Sequence, residues 1–315
     1  MSLAFVFPGQ GSQFVGMGRD MAEWSSAARE TFEEADDSLG FSISGICFEG
    51  PEEVLRLTEN TQPAILATSV AAHRSFLSHV DAVPLFVAGH SLGEYSALVA
   101  AGSIGFADAL RVVRERGRAM QEAVPPGRGA MAALMGMERE EILSICVKAS
   151  SDGGVVSPAN FNAPGQVVIA GFRENVLGAI EIFRERGGRK AVELPVSAPF
   201  HCALMEPAAR RMEDILGDIH VDSPKTVLIN NAGAVSVSLA SQVVPSLVSQ
   251  VTSPVLWTDS IKGMAEKGVD AYLELGPGKV LAGLIKRIDG NAAVSSFGAP
   301  GDLDAAIAIL EVRDA

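Results

Sequence analysis

Cysteine, positive charge and uninterrupted apolar sequence are all scarce in this 315-residue chain. Its three cysteines, Cys47, Cys146 and Cys202, lie far apart and form no C-x-x-C pair. An odd, dispersed set gives neither a disulfide framework nor a thiolate zinc site, and free thiols fit a reducing cytoplasm. Basic residues number 25 against 38 acidic ones, a formal charge of −13. A nucleic-acid binder needs a basic surface to neutralise phosphates, so that class is excluded. No run of roughly 18 uncharged apolar residues occurs, because Glu94 and polar residues interrupt the longest one; a membrane span is excluded. The first twelve residues lack a basic leader, and their apolar run stops at Pro8-Gly9, unlike a signal peptide.

The chain does have enough apolar residues, at 48% hydrophobic and 20% charged, to bury a full core. Residues 3–7 form a short apolar run ended by Pro-Gly, the mark of a buried strand. Helical spacing covers 24–37 and 62–77, with Pro63 in a first turn. Residues 85–88 read as a strand entering Gly89-His90-Ser91-Leu92-Gly93, then a helix through 101. Residues 106–123 are helical, with Leu110, Val113 and Met120 on an apolar face and arginines on the others.

Over the next seventy or so residues the order becomes β-α-β-β-α-β, the split-βαβ, ferredoxin-like signature. It reads as strand 130–135, helix 139–148, strands 155–161 and 166–171, helix 175–186 and strand 190–196. Alternation then resumes with helix 203–216, strand 226–230, helix 261–266, strand 271–275, the turn Gly276-Pro277-Gly278 and helix 279–288. The expected architecture is α/β. A hydrolase-like, doubly wound core spans 1–126 and 197–315, and a ferredoxin-like (βαββαβ) subdomain is inserted at 127–196. Gly127-Arg128-Gly129 and Pro195 serve as the hinges.

Chemistry is concentrated at Gly89–Gly93. G-x-S-x-G between a strand and a helix is a nucleophile elbow: flanking glycines allow close backbone approach, and the serine oxygen stands at a helix N-terminus. The same string also serves as a plain small-residue turn, and both readings stand at this point. A nucleophilic Ser91 needs a base. His73 and His79 lie six residues apart in a helical segment, on different faces, which suits packing; His220 sits in the alternating Ile219-His220-Val221 and reads as structural. His90 adjoins Ser91, but neighbouring elbow side chains diverge. His201, in a loop just after the insert's last strand, falls at a domain junction where clefts form; it is either the base or a satisfied loop histidine. No acid follows in the Ser–Asp/Glu–His order of hydrolase triads, which disfavours a plain hydrolase.

Phe7-Pro8-Gly9-Gln10-Gly11-Ser12-Gln13 and Gly89-His90-Ser91-Leu92-Gly93-Glu94-Tyr95 resemble the malonyl-CoA:acyl carrier protein transacylase family. So do Arg116-Gly117, Asn160-Phe161-Asn162, Pro164-Gly165-Gln166, Phe200-His201-Cys202, Gln250 with Ser253-Pro254-Val255-Leu256-Trp257-Thr258, and Glu274-Leu275-Gly276-Pro277-Gly278. The resemblance runs in order through nearly the whole chain. It implies a cytoplasmic, ping-pong acyltransferase of type II fatty-acid synthesis acting on malonyl-CoA and acyl carrier protein, with no metal or redox cofactor.

The same resemblance implies roles. Ser91 is the nucleophile, His201 its base, and the backbone carbonyl of Gln250 orients the histidine. The amides of Gln10 and Leu92 form an oxyanion hole, and Arg116 grips the malonyl carboxylate. Phe200, beside His201, is separately expected to fill space near the malonyl C2. Residues alone do not separate Arg116 from Arg111, Arg114 and Arg118. An acidic carrier protein facing a chain of −13 needs a local basic patch. Arg186, Arg189 and Lys190, and Lys279, Lys286 and Arg287, are the candidates. Alternative readings are an acyltransferase serving a polyketide synthase, a serine hydrolase or thioesterase, and a non-catalytic docking module.

Overall fold

The computed structural model describes residues 2–150, 153–196 and 198–311. Its first half runs β1 (Ser2–Phe7), α1 (Arg19–Trp24), α2 (Ser26–Leu39), α3 (Ile43–Glu49), α4 (Glu52–Leu55), α5 (Thr58–Leu77), β2 (Phe86–Gly89), α6 (Gly93–Ala100) and α7 (Phe106–Glu122). Then come β3 (Gly129–Met135), α8 (Arg139–Ala149), β4 (Val156–Ala163), β5 (Gln166–Phe172), α9 (Arg173–Glu185) and β6 (Lys190–Glu193). The last part holds α10 (Glu206–Gly217), β7 (Val227–Ile229), β8 (Ser236–Val237), α11 (Ala240–Thr252), α12 (Trp257–Glu266), β9 (Val269–Leu275), α13 (Val280–Ile288), β10 (Ala293–Phe297) and α14 (Leu303–Glu311).

The larger sheet has the order β10-β9-β1-β2-β7-β8, parallel except for the β7–β8 edge hairpin. Its central strand β1 is apolar at successive positions because helices cover both faces of a parallel sheet. Phe5 and Phe7 face a cluster with Leu66, Val70 and Phe76 of α5, while Ala4 and Val6 face one with Trp257, Ile261 and Tyr272. The C-terminal ends of β1 and β2 open into the crevice where ligands of such sheets sit.

The smaller sheet, β4-β5-β3-β6, is antiparallel throughout, the order expected of a βαββαβ unit. Side chains alternate across it. Ala132, Leu134, Val167 and Ile169 pack with Ile142, Ile145 and Phe183 of α8 and α9. Met131, Ala133, Val168 and Ala170 join the main core cluster instead. The α/β reading with a parallel core and a separate small antiparallel sheet therefore holds.

Several local expectations are corrected. The strand expected over 190–196 ends at Glu193, because Pro195 has no N–H to donate and the chain turns inward to line the central cavity. Pro63 lies in the second turn of α5 rather than the first, since the helix begins at Thr58. A 3-10 turn at Ala203–Met205 precedes α10, which starts three residues later than expected. Missing from the sequence reading are α1, α3, α4, β8, α11, β10 and α14; in α11, Pro245 and scattered serines obscure the helical period. Ser197, the expected boundary residue, lies outside the described residues. Among the described residues no helix is long and apolar enough to cross a membrane.

Candidate active site

Three backbones meet at the C-terminal ends of β1 and β2, and glycine is what lets them. A Cβ on Gly89 would lie 1.9 Å from the Gly93 carbonyl, one on Gly93 2.1 Å from the Phe7 oxygen, and one on Gly9 2.3 Å from the His90 oxygen. Between the first two, Ser91 takes φ 51°, a left-handed conformation that costs a side-chain-bearing residue strain. His201 does the same at φ 59°.

These two strained residues touch. Ser91 Oγ donates to His201 Nε2 at 2.7 Å, and His201 Nδ1 donates to the Gln250 carbonyl at 2.9 Å. A carbonyl only accepts, so it fixes the tautomer that leaves Nε2 unprotonated toward serine. His201 is nearly fully buried, and burial followed by the Arg116 charge draws its pKa down to about 3. The amides of Gln10 and Leu92 have no acceptor among the described residues.

Arg116 is 1% exposed, yet its guanidinium makes no ion pair with a carboxylate among the described residues. Nη1 donates to Gln62 Oε1 at 2.8 Å, and Nη2 donates to Gln250 Oε1 at 2.9 Å and Ser91 Oγ at 3.1 Å. Nε has no acceptor among the described residues. Burial lowers its pKa, against the opposing pull of Tyr95 and Glu94. The expectation that arginines occupy only the other faces of this helix is corrected here: Arg116 shares the buried stripe of Val112, Val113 and Met120, at i−4, i−3 and i+4. That spacing was a usable signal. Arg111 and Arg118, by contrast, hold Asp108, and Glu59 with Glu115, at the surface.

A cavity of about 100 Å³ joins these groups, lined by Gln10, Ser91, Arg116, Asn160, Phe200 and His201 with Met120, Met131, Leu194 and Val196. Gln10, Leu194 and Val196 also line an adjoining cleft of about 470 Å³ that opens past Phe14. Of the other histidines, His90 turns away to Asn162 Oδ1 at 2.8 Å, His73 packs edge-on against Phe5 and Phe7, His79 stacks on Trp24, and His220 lies exposed beside Asp222.

The family model for the acyl transferase domain matches residues 4–295. The malonyl CoA-acyl carrier protein transacylase of Escherichia coli O157:H7 is 48% identical over 304 residues, covering 96% of this chain and 98% of that protein. The solved malonyl CoA-acyl carrier protein transacylase of Coxiella burnetii superposes with a TM-score of 0.96 at 42% identity, covering 98% of each chain. A malonyl-transacylase solved in complex with a type II PKS (polyketide synthase) acyl-carrier protein gives 0.95 at 44%, covering 98% of this chain and 99% of that one. The chain belongs to the malonyl-CoA:acyl carrier protein transacylase family. In this transacylase, the sequence reading passed over Gln62, Asn231 and Glu94. Glu94 stood within the Gly93-Glu94-Tyr95 motif and Asn231 at a strand end, whereas Gln62 carried no signal in its helical run.

Proposed function

We propose that the chain moves the malonyl group from malonyl-CoA to the phosphopantetheine thiol of acyl carrier protein, supplying fatty-acid elongation. The observation that carries this reading is the buried Arg116 guanidinium, in no ion pair with a carboxylate among the described residues, beside a Ser91–His201 pair. An unpaired buried cation is costly, and a substrate carboxylate is the partner that relieves it.

In the first half-reaction His201 Nε2 takes the Ser91 proton while Oγ attacks the thioester carbon. The oxyanion forms against the amides of Gln10 and Leu92, each worth about 3 kcal/mol in comparable sites. The C–S bond breaks and CoA sulfur takes the proton from His201, leaving malonyl-serine. The carrier thiol then gives its proton to His201, attacks the ester, and Ser91 leaves with that proton. A malonyl carboxylate on Arg116 also offsets the positive field that depresses His201, so the correct substrate strengthens its own base. Phe200 lines the cavity beside His201, where it would bound the malonyl C2, and the adjoining cleft is assigned to the pantetheine arm.

Residues 127–196 act as a subdomain on a core of 1–126 and 197–315, a reading supported by the second sheet and its own apolar cluster. For carrier docking, Lys190 of β6 lies opposite Met135, Met135 lies opposite Gln166, and Arg287 donates to Gln166. With strands about 4.8 Å apart, Arg189, Lys190 and Arg287 converge on one end of the small sheet. Lys286 and Lys279 are partly engaged, by the Ala292 carbonyl and by Asp302. Three free cysteines, Cys47, Cys146 and Cys202, fit the cytoplasmic setting that we propose.

The test is transfer from malonyl-CoA to two holo carrier proteins, one from fatty-acid and one from polyketide synthesis. Arg116→Ala should cut malonyl transfer at least a hundredfold while sparing acetyl transfer; equal losses would make Arg116 a structural residue. The relative solved with a type II PKS carrier favours polyketide supply as the second reading, and preference for that carrier would select it. Hydrolysis outrunning transfer would instead favour a thioesterase.

A further inference from the structure

Glu94 is fully buried in the first turn of α6, one turn behind the nucleophile, and the proposed reaction gives it no part. Its surroundings are unusual for a merely packed acid. Oε2 accepts from Gln250 Nε2 at 2.9 Å and from the Asn231 amide at 2.8 Å, and Oε1 from Ser246 Oγ at 3.4 Å. Two of those partners, Asn231 and Gln250, reach the reacting groups, whereas Ser246 Oγ accepts from Asn230 Nδ2 at 2.8 Å. Asn231 Oδ1 accepts from the Ser91 amide at 2.6 Å, and its Nδ2 donates to the Gly89 carbonyl at 2.6 Å, so it clamps both sides of the elbow. Gln250 Nε2 also donates to the Ser91 carbonyl at 3.0 Å.

The chemistry of the amide makes the arrangement directional. Because a carboxylate accepts only, it forces the nitrogen end of the Gln250 side chain toward Glu94 and the oxygen end toward Arg116. Were the amide reversed, its NH₂ group would face a guanidinium and its oxygen a carboxylate. The interposed amide also keeps Glu94 from pairing directly with Arg116, which leaves the guanidinium free for a substrate's anionic end. Burial pushes the Glu94 carboxyl up to about 7, opposed by its hydrogen bonds and by Arg116.

We propose that Glu94 is a positioning residue that fixes the Gln250 amide, and through it aims Arg116 at the acyl group, while holding the Ser91 elbow through Asn231. The selectivity part of this inference rests on the malonyl-transfer reading; the elbow part does not. Two measurements separate them: malonyl against acetyl transfer, and the rate at which a neutral fluorophosphonate labels Ser91, which needs no acyl substrate.

In Glu94→Ala, malonyl transfer should fall roughly a hundredfold, the usual cost of a misplaced catalytic group, with acetyl transfer and Ser91 labelling falling about tenfold. Glu94→Gln should recover at least tenfold of the malonyl loss. Its single oxygen can still accept from Gln250 and Asn231, and its NH₂ can turn to Ser246 Oγ. Gln250→Met keeps the carbonyl that holds His201 but removes the amide, so Glu94→Ala/Gln250→Met should be no worse in malonyl-over-acetyl ratio than the poorer single variant. Should Glu94→Ala not fold, Glu94→Gln replaces it in that cycle. The proposal is overturned if Ser91 labels at the wild-type rate in the Glu94 variant, if both acyl groups lose equally, or if the two substitutions multiply. Wild-type protein that labels at Ser91 but transfers no malonyl group would sink the functional reading, with the labelling rates still deciding the role of Glu94 at the elbow.

Discussion

Two strand-to-helix turns flank β1, one from β2 into α6 and the other from β9 into α13, and they solve the same geometric problem differently. Each contains glycine and a left-handed residue, and each buries a glutamate that burial pushes up to about 7. In the β9 turn the positive φ angles fall on Gly276 (135°) and Gly278 (80°), where they cost little. In the β2 turn the angle falls on Ser91, a residue that is strained there. Of these two turns, only the one that presents a side-chain oxygen places the strain on a residue other than glycine. The glutamates divide likewise. Glu274, on β9, accepts from the Leu281 and Ala282 amides of the following helix α13, a local cap, whereas Glu94 ties together groups from distant segments. The β9 turn braces the neighbouring loop, with Gly276 against Pro8 and Gly278 beside Ser12.

The largest effect should come from adding one methyl to each turn. Gly93→Ala drives a Cβ to 2.1 Å from the Phe7 oxygen, a backbone atom that cannot yield, so the variant should lose Ser91 reactivity entirely and melt far below wild type. In Gly278→Ala the nearest atom lies 3.5 Å away, and only the positive φ is penalised, by about 1–2 kcal/mol. Similar melting temperatures for the two variants would erase the distinction between a crowded catalytic turn and an open bracing one.

Next in size is the base. His201→Ala should slow acylation of Ser91 by roughly 10²–10⁴. Because burial and Arg116 hold the folded-state pKa near 3, below the usual 6.5, the neutral ring contributes stability above pH 6.5 that is lost as pH falls. Nitrogen-15 shifts of His201 should therefore stay those of a neutral ring down to pH 5. A midpoint near 6.5 would place the imidazole in water rather than in the cavity.

The smallest effect concerns the local cap. Glu274 is raised from 4.5 to about 7, so its contribution to stability is full below about 4.5 and is lost as pH rises through 7. Glu274→Gln lacks that slope. Its stability relative to wild type should rise by on the order of 3 kcal/mol across the window, read from urea unfolding at a series of pH values. A flat difference would mean that Glu274 stays ionised throughout.

The comparison also explains what the sequence made legible. The elbow was readable because its information is local: a strand period, glycines at fixed spacing and a helix follow one another within residues 86–100. The small-sheet order was readable for the same reason. His201 emerged from elimination among five histidines together with its place at the domain junction after the insert's last strand. Gln250 was illegible as an orienting group, because it acts through a carbonyl that every residue possesses, on a helix whose period Pro245 and its serines hide. The roles of Glu94, Gln62 and Asn231 depend on pairings across 54 to 156 residues of chain, which no local pattern encodes.

The most direct test of Ser91 as the acyl carrier is intact-protein and peptide mass spectrometry after incubation with malonyl-CoA alone. One malonyl group per chain, on the peptide containing Ser91, absent in Ser91→Ala and discharged by a holo carrier protein, is the expected result. An adduct that persists in Ser91→Ala, or wild-type protein that stays unmodified while still transferring malonyl groups, would contradict it.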